Sequence, residues 1–200
     1  MDDMTIPDHA SAAASASLAA ALSTPQPPSA MVEVWDGRIR AFHWVLVVLF
    51  IAAYLSAEDS ERLHLLAGYS IAGLLVLRVV WGFSGSQHAL FRDFVRSPRE
   101  VLNYLKLARE HRAPRYLGHN PAGGAMTIAL LVMITSICLT GHLMTTDAWW
   151  GSEAMEDFHE LLVNCTLGLI GLHLLGNLLS SRMHHENLTM SMITGFKRRQ

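Results

Sequence analysis

Two histidines, His159 and His173, stand fourteen residues apart within an apolar stretch, 158–182, that is long enough to cross a bilayer. On an α-helix, fourteen residues turn the chain by about 1,400°, some 40° short of four full turns, and advance it by about 21 Å. Both imidazoles therefore leave the same face of the helix, one near each membrane surface. An ionisable ring inside hydrocarbon is costly unless something meets it, so an intramembrane histidine marks a functional site. Two on one face, a membrane apart, point to two cofactors stacked across the bilayer.

The elements that position these rings follow from composition. Of 200 residues, 51% are hydrophobic and 16% charged. That charged share lies well below the usual quarter, and the apolar residues are gathered into blocks. The expected fold is all-α: an integral membrane four-helix bundle with cofactor sites between helices. Its spans fall at about 41–57, 63–83, 122–145 and 158–181, within a single domain over 34–200. Residues 1–33, rich in Ala, Ser and Pro, read as a disordered N-terminal tail. Asp2 and Asp3 and the lack of a bulky apolar run argue against a signal peptide. A net charge of −2 and a pI near 6.6 give no sign of a nucleic-acid partner. Cys138 and Cys165 fall in apolar spans and read as small buried hydrophobes.

Between the second and third spans, 97–112 looks like an amphipathic surface helix. Ser97 is its N-cap, Pro98 its first residue and Glu100 its third, with Val101, Leu102, Leu105 and Ala108 on one face. Asn120 and Pro121 restart a helix for the third span. The same long connection carries Arg92, Arg96, Arg99, Lys106, Arg109, Arg112 and Arg115, and the C-terminal end carries Lys197, Arg198 and Arg199. The other two connections hold Glu58, Asp59, Glu61, Asp147, Glu153, Glu156 and Asp157, with only Arg62 basic. The positive-inside rule then places both termini and the long connection in the cytoplasm.

That topology sorts the histidines by depth. His43 begins the first span and His173 lies late in the fourth, so both are near the cytoplasmic face. His64 begins the second span and His159 the fourth, so both are near the outer face. Four rings at two levels are what bis-imidazole ligation of two b haems requires, and filling both axial positions favours electron transfer. Gly68, one turn after His64, leaves room for a flat macrocycle, and Gly168, Gly171 and Gly176 could do the same on the fourth span. Arg78, fourteen residues after His64, descends to the inner level, where a buried guanidinium fits a haem propionate. His142 has no matching ring and reads as a packing or supporting residue. His184 and His185 read as neighbours of a propionate or a lipid head group, and His9, His88, His111 and His119 as solvated.

Two other readings compete. A histidine-based membrane metal-ion transporter requires several ligands converging at one depth. A redox-silent membrane anchor subunit leaves the histidines unexplained.

The segments RAFHW at 40–44, HLLAGYSIAGLLVLRVVWG at 64–82, HELLVNCTLGLIGLH at 159–173 and HHENLTMSMITG at 184–195, with YLGHNPAGG at 116–124, resemble the bacterial cytochrome b561 and Ni/Fe-hydrogenase b-type cytochrome family. The resemblance covers about residues 32–199. It implies a four-helix bundle in the bacterial inner membrane with two b haems, and electron transfer between quinone and a redox protein or enzyme subunit. His43, His64, His159 and His173 occupy the family's ligand positions, and Arg78 matches a recurring arginine.

Overall fold

The computed structural model describes residues 31–84 and 90–199. Most of the expected tail, together with His9 and His88, lies outside them. The helices belong to one compact unit, Glu33–Lys197. Two three-residue strands, β1 (Met31–Glu33) and β2 (Phe196–Arg198), bracket it in the sequence.

Four helices are long and apolar enough to cross a membrane: α1 (Gly37–Ser56), α2 (Glu61–Ser84), α5 (Pro121–Met144) and α6 (Glu153–Met183). Each begins where a polar side chain takes up an orphan amide of the first turn. Asp36 Oδ1 accepts from Ile39 N at 2.9 Å and Asn120 Oδ1 from Gly123 N at 2.7 Å. Ser60 and Ser152 do the same for α2 and α6. These caps carry all four helices one to five residues ahead of the spans expected from hydropathy, because helix geometry continues through the interfacial polar residues. The largest extension is at α6, whose 31 residues measure about 46 Å, well beyond a hydrocarbon core of about 30 Å.

α1 packs on α2, α2 on α5 and α5 on α6. On α2 the residues Ala67, Ile71, Leu75, Arg78 and Gly82 are buried. Their spacing of three and four is the stripe of one helix face. Ile71 and Leu75 meet Ile134 of α5, with Leu46, Leu49, Phe50 and Ala53 of α1 closing over them. Most other large apolar side chains point outward, as lipid-facing residues must.

The long connection holds two short helices, α3 (Phe91–Phe94) and α4 (Pro98–Arg109). α3 was not expected. Phe94 is 1% exposed, and the chain packs so closely here that a Cβ on Gly82 would lie 2.0 Å from the Phe91 ring and one on Gly124 2.3 Å from Phe94 O. His119 is not solvated: its ring sits 4.8 Å from both Trp35 and Phe94. α4 has the expected capping box, with Ser97 Oγ accepting from Glu100 N and donating to Glu100 Oε1 at 2.8 Å. Its contact with the rest of the protein is made by a residue outside the expected apolar face. Tyr104 is buried at 5% exposure, while Leu102 and Leu105 are exposed. Tyr104 packs against the Tyr116 ring, so the helix docks through its aromatic residue and turns the two leucines outward. Cys165 is likewise exposed rather than buried.

After α6 the chain reverses through His185, at φ 51°, into α7 (Leu188–Thr194), capped by Asn187. Gly195, at φ 90°, ends α7 in the left-handed conformation that glycine alone adopts without strain. Its carbonyl accepts from Val34 N and Trp35 N at 2.8 and 3.1 Å. Arg40 donates to Ile193 O at 2.5 Å and Trp44 Nε1 to Met192 O at 3.4 Å. The C-terminal segment is thereby clasped to the start of α1.

Candidate functional site

The structure brings His64 of α2 and His159 of α6 together, with ring centroids 6.3 Å apart and ring planes inclined by 69°. Each ring is held through its Nδ1 by a neighbouring helix. His64 Nδ1 is 2.9 Å from Ala53 O on α1. A carbonyl can only accept, so this nitrogen carries the hydrogen. His159 Nδ1 is 2.8 Å from Thr140 Oγ1 on α5. The Thr140 hydroxyl already lies 3.0 Å from Ser136 O and from Ile137 O. With its single hydrogen on one of those carbonyls, it accepts from His159. His64 is therefore the Nδ1–H tautomer, and the same tautomer at His159 would leave both Nε2 lone pairs bare, the state a metal-ligating histidine adopts when a second partner orients it. Two metal–imidazole bonds of about 2 Å each, plus the reach from nitrogen to ring centre on either side, span roughly the observed separation. Gly141 lets the ring approach α5: a Cβ there would stand 3.2 Å from His159 Cε1.

At the other level, His43 of α1 and His173 of α6 lie within electrostatic range of each other, and both are half-buried. His43 Nδ1 is buried and makes no hydrogen bond. Arg78 is 4% exposed. Its guanidinium lies over Phe91 at 5.0 Å and Phe94 at 5.8 Å, and its Nη1 is buried with no hydrogen-bond partner. An orphaned buried guanidinium nitrogen fits an arriving carboxylate. Gly68, Gly168, Gly171 and Gly176 each face open space, with nothing within 4 Å of where a Cβ would stand. On these observations the residues present fit haem at both levels.

Several contributors carried no signal in the sequence. The Ala53 carbonyl, the Thr140 hydroxyl and the Phe91–Phe94 cradle were not anticipated. His142, read as a packing or supporting residue, is hydrogen-bonded to Tyr69. His184 lies in a cluster at the clasp, where Glu186 Oε1 accepts from Arg115 Nε at 2.7 Å and Glu186 Oε2 stands 3.9 Å from Lys197 Nζ. Burial holds Lys197 below the ordinary lysine range, with Glu186 opposing and Arg115 reinforcing the shift. Among the described residues, no three His, Cys, Asp or Glu side chains gather as the metal-transporter reading requires.

Four spanning helices with imidazole pairs at two levels belong to a class: multi-pass membrane cytochromes of the b type, which carry haem b and transfer electrons. The family described as prokaryotic cytochrome b561 matches residues 34–195, and the chain belongs to that family. It is 24% identical over 94% of its length, and 93% of the relative's, to a probable Ni/Fe-hydrogenase B-type cytochrome subunit of Bradyrhizobium diazoefficiens. It is 27% identical over 82% of its length, and 87% of the relative's, to a protein of the same description from Rhizobium leguminosarum bv. viciae. No solved structure matches it.

Proposed function

We propose that the chain is a dihaem cytochrome that moves electrons between the quinone pool and a redox enzyme, as a four-span subunit of the bacterial inner membrane with both termini in the cytoplasm. His64 and His159 are the axial ligands at the outer level and His43 and His173 those at the inner level. The observation that carries this reading is the pair His64 and His159, 6.3 Å apart and each with Nδ1 held by a neighbouring helix.

Bound haem supplies a one-electron iron couple. The protein's own residues do the rest. Ala53 O and Thr140 Oγ1 hold the outer imidazoles in one tautomer and one orientation. Imidazole on both axial faces excludes other ligands. Arg78 offers its unpaired Nη1 to a propionate at the inner level. The names of the two relatives support a hydrogenase-type enzyme as the partner. The basic long connection and C-terminal end, against acidic short connections, support the orientation.

Haem extraction from purified protein tests the reading. It should yield two b haems per chain, freed by acid acetone because the chain has no CxxCH for covalent attachment. His159→Ala and His64→Ala should lose the same haem and leave the other low-spin, while His43→Ala and His173→Ala should share a different phenotype. A colourless preparation from haem-replete cells would sink the proposal, and pairing of His43 with His64 would overturn the ligand assignment.

A further inference from the structure

A second polar pair lies beside the outer histidines and is not used by the ligation proposed above. The Tyr69 hydroxyl stands 3.1 Å from His142 Nδ1 and 3.4 Å from Thr145 Oγ1, joining α2 to α5. Tyr69 is 51% exposed and His142 is exposed as well. On a spanning helix an exposed face looks into lipid, where an imidazole is costly unless a polar group meets it. His142 Nε2 has no hydrogen bond among the described residues. The pair is also adjacent to the outer level. Thr140 and Gly141, the two residues before His142, are those that touch the His159 ring, and Tyr69 follows His64 by five residues on α2.

We propose that Tyr69 and His142 bind the oxygen-bearing ring of an isoprenoid quinone that enters sideways from the bilayer between α2 and α5. The proposal rests on the cytochrome reading, and it places the quinone at the outer level. The hydrogen-bond chemistry suits both redox forms of such a ligand. When Tyr69 O–H donates to Nδ1, Nε2 carries the hydrogen and donates to a quinone carbonyl. When Nδ1–H donates to the Tyr69 oxygen, Nε2 is bare and accepts from a quinol hydroxyl. Tyr69 O–H then turns to Thr145 Oγ1, whose own hydrogen goes to His142 O at 2.8 Å. A neutral pair that can present either a donor or an acceptor matches a carbonyl–hydroxyl couple better than a phosphate, which only accepts. Toward the bilayer centre, Gly73 of α2 has nothing within 4 Å of where a Cβ would stand. Leu139 of α5 is 57% exposed. These provide space and an apolar wall for the isoprenoid tail.

The test uses the holo-cytochrome in nanodiscs of zwitterionic lipid with a photoreactive azido-quinone, followed by peptide mass spectrometry. Adducts should map to the peptides containing Tyr69 and His142 and should be competed away by a short-chain quinone. Tyr69→Phe and His142→Leu should each weaken binding of that short-chain quinone about tenfold, the loss of roughly one hydrogen bond, with haem content and the reduced spectrum unchanged. Adducts confined to the cytoplasmic half or scattered over the lipid-facing surface, or two variants that bind as tightly as the parent, would overturn the site. A parent that retains both haems and binds no quinone would overturn the site and leave the cytochrome standing. A parent that holds no haem would remove the reading beneath it.

Discussion

The Thr140 hydroxyl has two carbonyls 3.0 Å away to take its one hydrogen, and its oxygen can then accept from His159 Nδ1. Thr140 therefore decides which nitrogen of His159 is free. Thr140→Val keeps the volume and removes that acceptor, so the His159 ring loses its orientation. Supporting partners of metal-bound histidines are worth about 10–100-fold in affinity. Under the proposed ligation, Thr140→Val should weaken the outer haem by that range in a haem-retention assay and leave the inner one in place, while Thr140→Ser restores it. Equal loss of both haems would show a general folding defect instead. Arg78→Leu acts at the other level. Reduction removes one positive charge from the iron centre, and a nearby cation stabilises the product. Removing the guanidinium should therefore lower the inner potential alone in a redox titration; a shift confined to the outer haem would refute its placement. That His64 and His159 would meet was legible in sequence, because their positions in the second and fourth spans put them at one level. Their supports were not. Thr127, Thr135 and Thr140 all bond the carbonyl four residues back, and nothing local says which one also meets a ring. A backbone carbonyl such as Ala53 O leaves no mark on the sequence at all.

Among the elements, the four spans could be read from hydropathy, since a 20-residue apolar run has few other uses, but their ends could not. Caps set the ends, and at α6 the helix runs through Glu153, Glu156 and Asp157 before it meets hydrocarbon. The docking of α4 also escaped, because it is Tyr104, packed against Tyr116 beyond the helix, that is buried. The clasp formed by the end of α6, α7 and β2 depends most on one carboxylate. Glu186 faces Arg115 and Lys197, and the three side chains are only 14%, 13% and 5% exposed. Glu186→Gln leaves two cations beside an amide, and breaking such a buried pair costs on the order of 3 kcal/mol. A lower melting temperature in detergent, with both haems still bound before melting, is the expected result; an unchanged melt would mean that solvent already screens the cluster. The same cluster sets a pH dependence. His184 is held below its ordinary pKa by burial, opposed by Glu186 and reinforced by Arg115 and Lys197. The unfolded chain then binds this proton at higher pH than the folded chain does. Stability should fall as pH drops from about 6.5 through the folded value, and His184→Gln should flatten that part of the melting curve.

For the molecule as a whole, orientation turns the two levels into an inner and an outer end. The long connection between α2 and α5 carries seven basic residues against three acidic ones, Asp93, Glu100 and Glu110, among its described positions, and Lys197, Arg198 and Arg199 close the chain. The short connections reverse this balance, with Arg62 as the one cation among seven carboxylates. Translocating seven basic residues close to the membrane opposes insertion, whereas carboxylates contribute little, so charge alone favours the long connection inside. With the long connection inside, Trp150, 72% exposed in the α5–α6 connection, would stand on the outer side. The proposed electron path, the level of the quinone pair and the side on which an enzyme partner docks all depend on this assignment. It is checked with single cysteines in a background in which Cys138 and Cys165 are replaced by alanine. Ala148→Cys, in the exposed turn after α5, should react with a membrane-impermeant thiol reagent added to spheroplasts. Arg112→Cys, at a site whose side chain is 75% exposed, should react only after the membrane is permeabilised. The opposite pattern would invert the protein, exchange the two haem levels, and move Tyr69 and His142 to the cytoplasmic side while leaving every contact within the bundle as described.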